Sequence, residues 1–251
     1  MLHIEHLTCG YGRSPILQDV SFHVREGEQL CILGPNGCGK TTLLRAIAGL
    51  LPYEGKIEMG GDDLRRLSPR KRAQKLALMS QLEAAAFDYT VYETVMLGRY
   101  AHQKGGLLAD ATDGDCRTVE ESMRLSGVWD LKDRLVTELS GGQLQRVFLA
   151  RTFAQEPQAI LLDEPTNHLD LHCQAELLDS LRAWSTVGGR CVVGVLHDIN
   201  LALNFADTVL LLNLGNIAAY ERIDKFDLSL LNALYEMDVG GYMRESLKRW
   251  I

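Results

Sequence analysis

The stretch QLCILGPNGCGKTTLLRAIAGLL, residues 29–51, decides the fold of this chain. Its first five residues form a short apolar run without alternation, which is typical of a strand covered on both faces of a sheet. A glycine-rich loop follows, and an amphipathic run beyond it predicts a helix. The loop, with Lys40 and Thr41, matches G-x-x-x-x-G-K-[ST] in the strand–loop–helix context that this phosphate-binding pattern requires. The sequence therefore predicts an α/β domain that binds a nucleotide.

The chemistry of phosphate binding explains the residue types in this loop. Gly34, Gly37 and Gly39 let the backbone fold tightly around an anion. Amides at the start of the helix would point at phosphate oxygens, helped by the partial positive charge of a helix N-terminus. Lys40 would bridge the terminal phosphates, and the hydroxyl of Thr41 would ligate Mg²⁺. A glycine-rich turn without a ligand is the structural alternative.

Two carboxylates end a second buried strand. The run AILLDEP, residues 159–165, contains Asp163 and Glu164, and ligands of open α/β sheets bind at the carboxyl ends of the strands. Asp163 is placed to hold Mg²⁺ through water, and Glu164 to orient or deprotonate an attacking water. A solvated strand end with a helix-capping role is the alternative for an isolated Asp-Glu pair. The phosphate-binding loop upstream favours the catalytic role.

Three further residues are less specific signals. His197 in GVLHDIN ends another apolar strand, where it is expected to contact a terminal phosphate or the attacking water, although a lone histidine is usually structural. Gln81 ends the short strand LALMSQ, residues 76–81, and a simple loop amide would explain it as well. Tyr11 lies near an N-terminal turn, where it could stack on a base or pack in the core.

The composition excludes several classes of protein. The chain has 251 residues, of which 46% are hydrophobic and 24% charged, and its formal net charge is −7. An acidic molecule is not attracted as a whole to nucleic acid or to an anionic membrane, so no nucleic-acid partner is expected. In the basic run at residues 64–75, Ser68 and Pro69 are predicted to form the cap and first turn of a helix. We expect that helix to be solvated. With no apolar run of bilayer length and no signal peptide, the sequence predicts a soluble intracellular protein.

The cysteines indicate reduced thiols. The six residues show no CxxC pairing, and two lie in apolar strand-like runs; they are Cys9, Cys31, Cys38, Cys116, Cys173 and Cys191. Cys38 lies beside Lys40 at a predicted helix N-terminus, so its thiolate is expected to be favoured and its alkylation to block ATP binding.

The segment NHLDLHC, residues 167–173, offers candidate ligands for a transition metal: His168, Asp170, His172 and Cys173. The two histidines share a helix face at i, i+4, but no HExxH context surrounds them. The segment is better explained by its place just after Asp163 and Glu164 of the candidate nucleotide site. No transition-metal site is therefore predicted.

The order of patterns along the chain predicts a single domain with an insertion. The N-terminal runs LHIEHLT and ILQDVSFHV alternate with period two, as antiparallel strands with one wet face do. The unalternating runs at 29–33, 159–162 and 191–196 are predicted as central parallel strands. The region between the first two is mostly helical. We therefore predict a nucleotide-binding core with an antiparallel subdomain at 1–81 and 159–251, a helical subdomain at 82–158, and a short helical tail from about residue 226.

Together and in this order, GPNGCGKTT, LSGGQLQR, ILLDEPTNHLD and VLHD resemble the ATP-binding subunits of ATP-binding cassette (ABC) transporters. The resemblance covers nearly the whole chain. It implies an α/β P-loop NTPase core with a mixed sheet, an N-terminal antiparallel β subdomain and an inserted helical subdomain. It also implies ATP and Mg²⁺ as cofactors and ATP hydrolysis as the activity.

The resemblance assigns roles by position. Tyr11 would stack on adenine, Gln81 would sense Mg²⁺ and couple to the membrane partner, and Asp163 would serve the metal. Glu164 would act on the attacking water and His197 on the γ-phosphate, while Asp170 would contact the other subunit of a dimer. The residues that would wrap the phosphates are Gly34, Pro35, Asn36, Gly37, Cys38, Gly39, Lys40, Thr41 and Thr42.

The motif LSGGQLQR, residues 139–146, is only half of a phosphate site. It has the glycine pair and the following helix, but no lysine follows and no buried strand leads into it. The resemblance implies that Ser140, Gly141 and Gly142, with Gln143, bind ATP held by a second copy, so that two chains sandwich two nucleotides head to tail.

Finer similarity points to importers of iron chelates, haem or cobalamin. The strings FDYTVYETVMLGRYAHQ, at 87–103, and GDDLRRLSPRKRAQKLALMSQ, at 61–81, resemble that group. It implies separate permease subunits, a substrate-binding protein as an indirect partner, and a position at the cytoplasmic face of the membrane. Two alternatives stay open, a non-transport ABC ATPase in DNA repair or translation and an ATP-binding regulator without turnover.

Overall fold

The structure is a computed structural model that describes residues 1–12, 14–80, 88–103, 111–167 and 169–248. Ten strands occur in these ranges: β1 Leu2–Tyr11, β2 Ser14–Val24, β3 Gln29–Leu33, β4 Tyr53–Met59, β5 Asp62–Asp63, β6 Leu76–Met79, β7 Ala159–Asp163, β8 Cys191–Val195, β9 Thr208–Asn213 and β10 Asn216–Arg222. The same ranges contain nine α-helices: α1 Lys40–Ile47, α2 Pro69–Ala73, α3 Val91–Met96, α4 Asp113–Leu125, α5 Gly141–Ala154, α6 Leu171–Ser185, α7 Ile199–Phe205, α8 Ser229–Tyr235 and α9 Val239–Leu247.

The central sheet has the strand order β10-β9-β3-β8-β7-β6. Neighbours from β9 to β6 are parallel, and β10 is antiparallel to β9. The three predicted central strands are therefore confirmed as β3, β7 and β8. Strand β9 was not predicted as a central strand, because a tight turn at Leu214 and Gly215 follows it, rather than a helix.

The second sheet, with the order β2-β1-β4-β5, is antiparallel and contains the two N-terminal strands that the alternating pattern predicted. Side chains from β1 and β2 pack with α1 and with one face of the central sheet in one hydrophobic cluster. In β3, Leu30 and Ile32 belong to that cluster, whereas Cys31 and Leu33 face a second cluster with α5, α6 and α7. Burial on both faces explains why β3 shows no alternation.

Helices α3, α4 and α5 share a third hydrophobic cluster, which includes Val91, Val95, Val119, Met123 and Val147. All five residues are buried, so each of these helices turns an apolar face into the cluster. The predicted boundaries of this helical region, at 82 and 158, stay predictions. Among the helices in the described ranges, none has the length and apolarity to span a membrane.

An ion cluster around the buried side chain of Arg99 ties the helical region together. Arg99 lies in a 3-10 turn after α3, with its side chain only 8% exposed. Its Nε lies 2.8 Å from Asp115 Oδ1 in the first turn of α4, and its Nη1 donates to Glu156 Oε2 at 2.6 Å and to the carbonyl of Ala154 at 2.7 Å. Asp115 also closes a capping box with Thr112. Burial alone would raise the pKa of Asp115, but the hydrogen bonds from Arg99 and Thr112 outweigh it and lower that pKa to about 2.

This ion cluster predicts an acid-sensitive contribution to stability. Because the folded pKa of Asp115 is depressed, its contribution is present above the ordinary pKa of 3.8 and is lost as the pH falls towards about 2. It amounts to about 1 kcal/mol after allowance for solvent screening. Urea unfolding of wild type and Asp115→Asn at pH 6 and pH 3 should show a smaller acid-induced loss of the free energy of unfolding in the variant. Equal losses in the two proteins would contradict this assignment.

Candidate nucleotide-binding site

The candidate site lies at the carboxyl ends of the parallel strands. Strand β3 ends at Leu33 and the phosphate-binding loop leads directly into α1, while β7 delivers Asp163 and β8 is followed by His197. These ends surround a cavity of about 490 Å³. Its lining residues are Ile16, Asn36, Gly37, Gly39, Lys40, Thr41, Thr42, Glu164 and His197. The structure therefore brings three separately predicted motifs to one cavity.

Two glycines are required by close contacts of the loop. Gly39 has a φ of +112°, and a β-carbon there would lie 2.7 Å from Cδ2 of Leu17. A β-carbon at Gly34 would lie 2.2 Å from the carbonyl oxygen of Leu212, in β9. Strand β2 and strand β9 thus both confine the loop, and larger residues would displace it from the start of α1.

Lys40 crosses the loop that precedes it. Its Nζ donates to the carbonyl oxygens of Gly34 at 2.7 Å and Pro35 at 2.9 Å. Both acceptors are neutral, so the ammonium group orders the loop and still presents its positive charge to an anion in the cavity. Gly34, Pro35 and Cys38 do not line the cavity. The carbonyl oxygens of Gly34 and Pro35 hold the ammonium group of Lys40, and Lys40 does line it.

Thr41 and Asp163 bring two oxygen donors together. The hydroxyl of Thr41 donates to Asp163 Oδ1 at 3.0 Å. Burial raises the pKa of Asp163, and the hydrogen bond from Thr41 opposes that shift. A hydroxyl beside a carboxylate suits a hard cation such as Mg²⁺, which takes most of its ligands from phosphates and water. The described part of the chain holds no cluster of three or more His, Cys, Asp or Glu side chains that could bind a metal.

Glu164 is held by two neighbours on a strained backbone. Its φ is +55°, in the left-handed region, and its amide donates to the carbonyl of Val195 at 3.1 Å. One carboxylate oxygen lies 2.5 Å from Nε2 of His197, and the other accepts from Nδ2 of Asn167 at 2.6 Å. The sequence reasoning missed Asn167, because a polar residue in a turn carries no signal of the side chain it contacts.

The signature residues lie at the N-terminus of α5 and do not line this cavity. Ser140 is the helix cap: its hydroxyl accepts from the amide of Gln143 at 3.3 Å, and its own amide donates to the side chain of Gln143 at 3.1 Å. The S-x-x-Q spacing is a capping-box signal that the sequence already contained. A β-carbon at Gly141 would have no neighbour within 4 Å, so this helix end is open.

Two other predicted site residues, Tyr11 and Asp170, lie elsewhere. Tyr11 is 51% exposed, accepts a hydrogen bond from Arg45 at 3.2 Å, and borders a different cavity, of about 610 Å³. Asp170 caps α6 by accepting from the amide of Cys173 at 2.8 Å, and this hydrogen bond lowers its pKa. Gln81 and the metal candidate His168 lie outside the described residues.

Comparison with known proteins places these motifs in a family. Residues 17–167 match the family model described as ABC transporter. Over 244 residues the chain is 39% identical to an uncharacterized ABC transporter ATP-binding protein of Bacillus subtilis, a match that covers 96% of this chain and 55% of that longer protein.

Two relatives are named for the compounds they transport. The chain is 37% identical to the ferric enterobactin transport ATP-binding protein of Escherichia coli, over 86% of this chain and 79% of that protein. It is 40% identical to the hemin import ATP-binding protein of Roseobacter denitrificans, over 85% and 81% respectively. A solved structure of a metal-chelate type ABC transporter, in an inward-facing conformation, matches with a TM-score of 0.80 and 31% identity, over 94% of this chain and 88% of that one.

The expectation that Cys38 forms a thiolate readily is wrong. The residue is only 4% exposed, and its side chain belongs to the hydrophobic cluster between the two sheets. Burial raises the pKa of its thiol, and this outweighs the opposing effects of Lys40 and of the amides at the start of α1. Position at a helix N-terminus does not activate a thiol that points into the core.

The burial of Cys38 predicts slow alkylation. With iodoacetamide at pH 7, Cys38 in the folded chain without nucleotide should react at least about tenfold more slowly than in the urea-unfolded chain. Peptide mass spectrometry after timed labelling measures both rates, and fully buried Cys31 serves as the protected reference. Labelling of folded Cys38 at the unfolded rate would restore the original expectation.

Proposed function

This chain belongs to the ABC transporter family and is an ATP-binding, ATP-hydrolysing subunit; we propose that it powers import of a metal chelate such as a ferric siderophore, haem or cobalamin. The observation that carries the site assignment is the convergence of the Lys40 loop, the Thr41–Asp163 pair and the Glu164–His197 pair at one cavity. Both relatives above are named for transport or import, which supports this function over a role in DNA repair or translation.

In the proposed ATP complex, amides at the start of α1 bind the phosphates, and Lys40 supplies the compensating charge. Gly37 lines the cavity beside that helix end without a side chain, which would leave room for the phosphate groups. ATP would supply the phosphoanhydride bond that is cleaved, and Thr41 and Asp163 would hold Mg²⁺, which would neutralise phosphate charge. Tyr11 would provide the stacking surface for the base, and Gln81 would complete the metal environment.

Glu164 would act as the base or orienting group for the attacking water. Each of its two carboxylate oxygens already has one partner, His197 or Asn167, and exchange of the His197 contact would give the attacking water better access to Oε1. A phosphate in the cavity offers His197 an alternative hydrogen-bond partner. The exchange would free Glu164 Oε1 only when nucleotide is bound, which couples readiness for hydrolysis to binding.

We infer that the functional unit is a head-to-tail homodimer. Ser140, Gly141 and Gly142 form an open helix N-terminus with no lysine, outside the cavity of their own chain. A helix N-terminus of this kind binds anions. The helix end of one copy, together with Gln143, would therefore close the ATP site of the other copy. Asp170, the last residue of the run ILLDEPTNHLD, would lie at the same interface.

The proposed permease is a separate membrane protein, and the chain would bind it at the cytoplasmic face of the membrane. The described helices include none that could span the bilayer. In the proposed assembly, the chelate passes through the permease. The helical region and the segment around Gln81 are the proposed contact surface. A substrate-binding protein would act indirectly, by delivering the chelate to the permease.

The proposed function is tested by purifying the chain together with its permease, in lipid nanodiscs, and measuring ATP hydrolysis. Addition of the substrate-binding protein loaded with its ferric chelate, haem or corrinoid should raise the hydrolysis rate severalfold, because cargo on the outside is coupled to the ATPase. A complex carrying Lys40→Ala is the control and should show no stimulation. Failure of all three cargo classes, together with stimulation by another solute, would contradict the proposed substrate class.

A further inference from the structure

The signature helix α5 is joined to the catalytic turn of the same chain by one buried side chain. Gln145, two residues beyond Gln143 in LSGGQLQR, is only 4% exposed. Its Nε2 donates to the carbonyl oxygen of Pro165 at 2.7 Å. Pro165 directly follows Glu164 and is itself buried. The amide of Gln145 therefore fixes the peptide next to the catalytic carboxylate.

Other contacts hold the same two segments together. A β-carbon at Gly142 would lie only 2.7 Å from the sulfur of Cys173, so α5 and α6 approach closely beside the turn. Arg146 on α5 pairs with Glu176 on α6 at 2.9 Å. On the other side, Nε2 of Gln174 lies 3.2 Å from the carbonyl oxygens of Thr166 and of Leu169. Of these contacts, Gln145 is the one that reaches the residue adjacent to Glu164.

The turn needs such external support. Glu164 adopts a left-handed backbone that a glutamate does not favour, and such a conformation persists only where the surroundings hold it. Pro165 fixes its own φ and limits the conformations of Glu164, so a shift of the Pro165 peptide moves the Glu164 carboxylate. A buried carbonyl without a donor is unfavourable, so loss of the Gln145 amide would drive that shift.

We propose that Gln145 is a positioning residue for Glu164 and transmits the placement of the signature helix to the catalytic turn of its own chain. The N-terminus of α5 would take its final position when it contacts the ATP of the neighbouring copy. The hydrogen bond to Pro165 then aligns Glu164 for the chain's own ATP. Each chain would thus sense, through Gln145, whether the partner's site is filled. This inference rests on the proposed roles of Glu164 and of the signature residues.

The test is Gln145→Met, which keeps the length of the side chain and removes the donor. In the purified wild-type and variant chains, ATP hydrolysis and equilibrium binding of a fluorescent ATP analogue are measured at a temperature where both are folded. We expect kcat to fall between about tenfold and a hundredfold, because small displacements of a catalytic group have effects of that size. The Kd for the nucleotide should stay within about twofold of wild type, since the loop around Lys40 is untouched.

A matched control comes from the same helix. Thr152 is 5% exposed, and its hydroxyl donates to the carbonyl of Phe148 at 2.8 Å within α5. Thr152→Val removes a buried hydrogen bond but no contact with the catalytic turn, so kcat should stay near wild type. If Gln145→Met lowers only the melting temperature and leaves kcat unchanged, or lowers kcat no more than Thr152→Val does, the proposal is overturned.

Failure of this inference is distinguishable from failure of the proposed mechanism. Glu164→Gln measured in parallel should abolish most hydrolysis whatever Gln145 does. Retained hydrolysis in Glu164→Gln overturns the role of Glu164, and the inference with it. Loss in Glu164→Gln with normal kcat in Gln145→Met overturns only the positioning role of Gln145.

Discussion

The parallel pairing of the central strands is the constraint on which the site depends. In the sheet, Ile32 of β3 and Asp163 of β7 both pair with Val195, the last residue of β8. The three strands therefore end side by side at one edge of the sheet, and the segments that follow them lie close together there. The phosphate-binding loop follows β3, Glu164 follows β7 and His197 lies just beyond β8. A one-residue slip would move the side chains of these strands from one hydrophobic cluster into the other and disrupt their close packing, so the apolar core keeps the polar groups of the site aligned.

Packing against the sheet also confines the parts of the site that must not move. The loop is limited by β2 at Leu17 and by β9 at Leu212, and it is crossed by the side chain of Lys40. The turn after β7 is held by the hydrogen bond from the amide of Glu164 to the carbonyl of Val195 and by the one from Gln145 on α5 to the carbonyl of Pro165. Lys40 and the carboxylate of Glu164 thus both line one cavity, a separation of charge that suits a phosphate group and its metal.

Much of this arrangement could be predicted from the sequence, because its patterns are local. Strands β3, β7 and β8 are apolar runs bounded by turn residues, and the order of motifs identifies the edge at which they end. Strand β9 escaped prediction because a tight turn at Leu214 follows it, and it therefore lacks the strand–loop–helix pattern of its neighbours. The position of Cys38 at a helix N-terminus led to the wrong prediction of a favoured thiolate, because its thiol points into the core.

The contacts that escaped prediction join residues whose partners sequence spacing does not specify. The bond between Asn167 and Glu164 depends on the left-handed backbone of Glu164, and the bond between Gln145 and Pro165 depends on how α5 packs on the sheet. Capping by Ser140, in contrast, follows from an S-x-x-Q spacing visible in the sequence. Hydrogen bonds that belong to a known helix-capping pattern are thus recoverable from sequence, whereas those set by an unusual backbone conformation or by tertiary packing are not.

The central claim is that each chain supplies half of two composite sites, and mixing two inactive variants tests it most directly. Lys40→Ala disables the chain's own phosphate-binding loop. Gly141→Asp places a carboxylate in the open space at the start of α5, where it fits the fold and repels a neighbour's phosphate. Mixed in equal amounts, the variants should regain ATP hydrolysis above the sum of their separate rates, because one composite site in each mixed dimer is intact. Hydrolysis no higher than that sum would contradict the account.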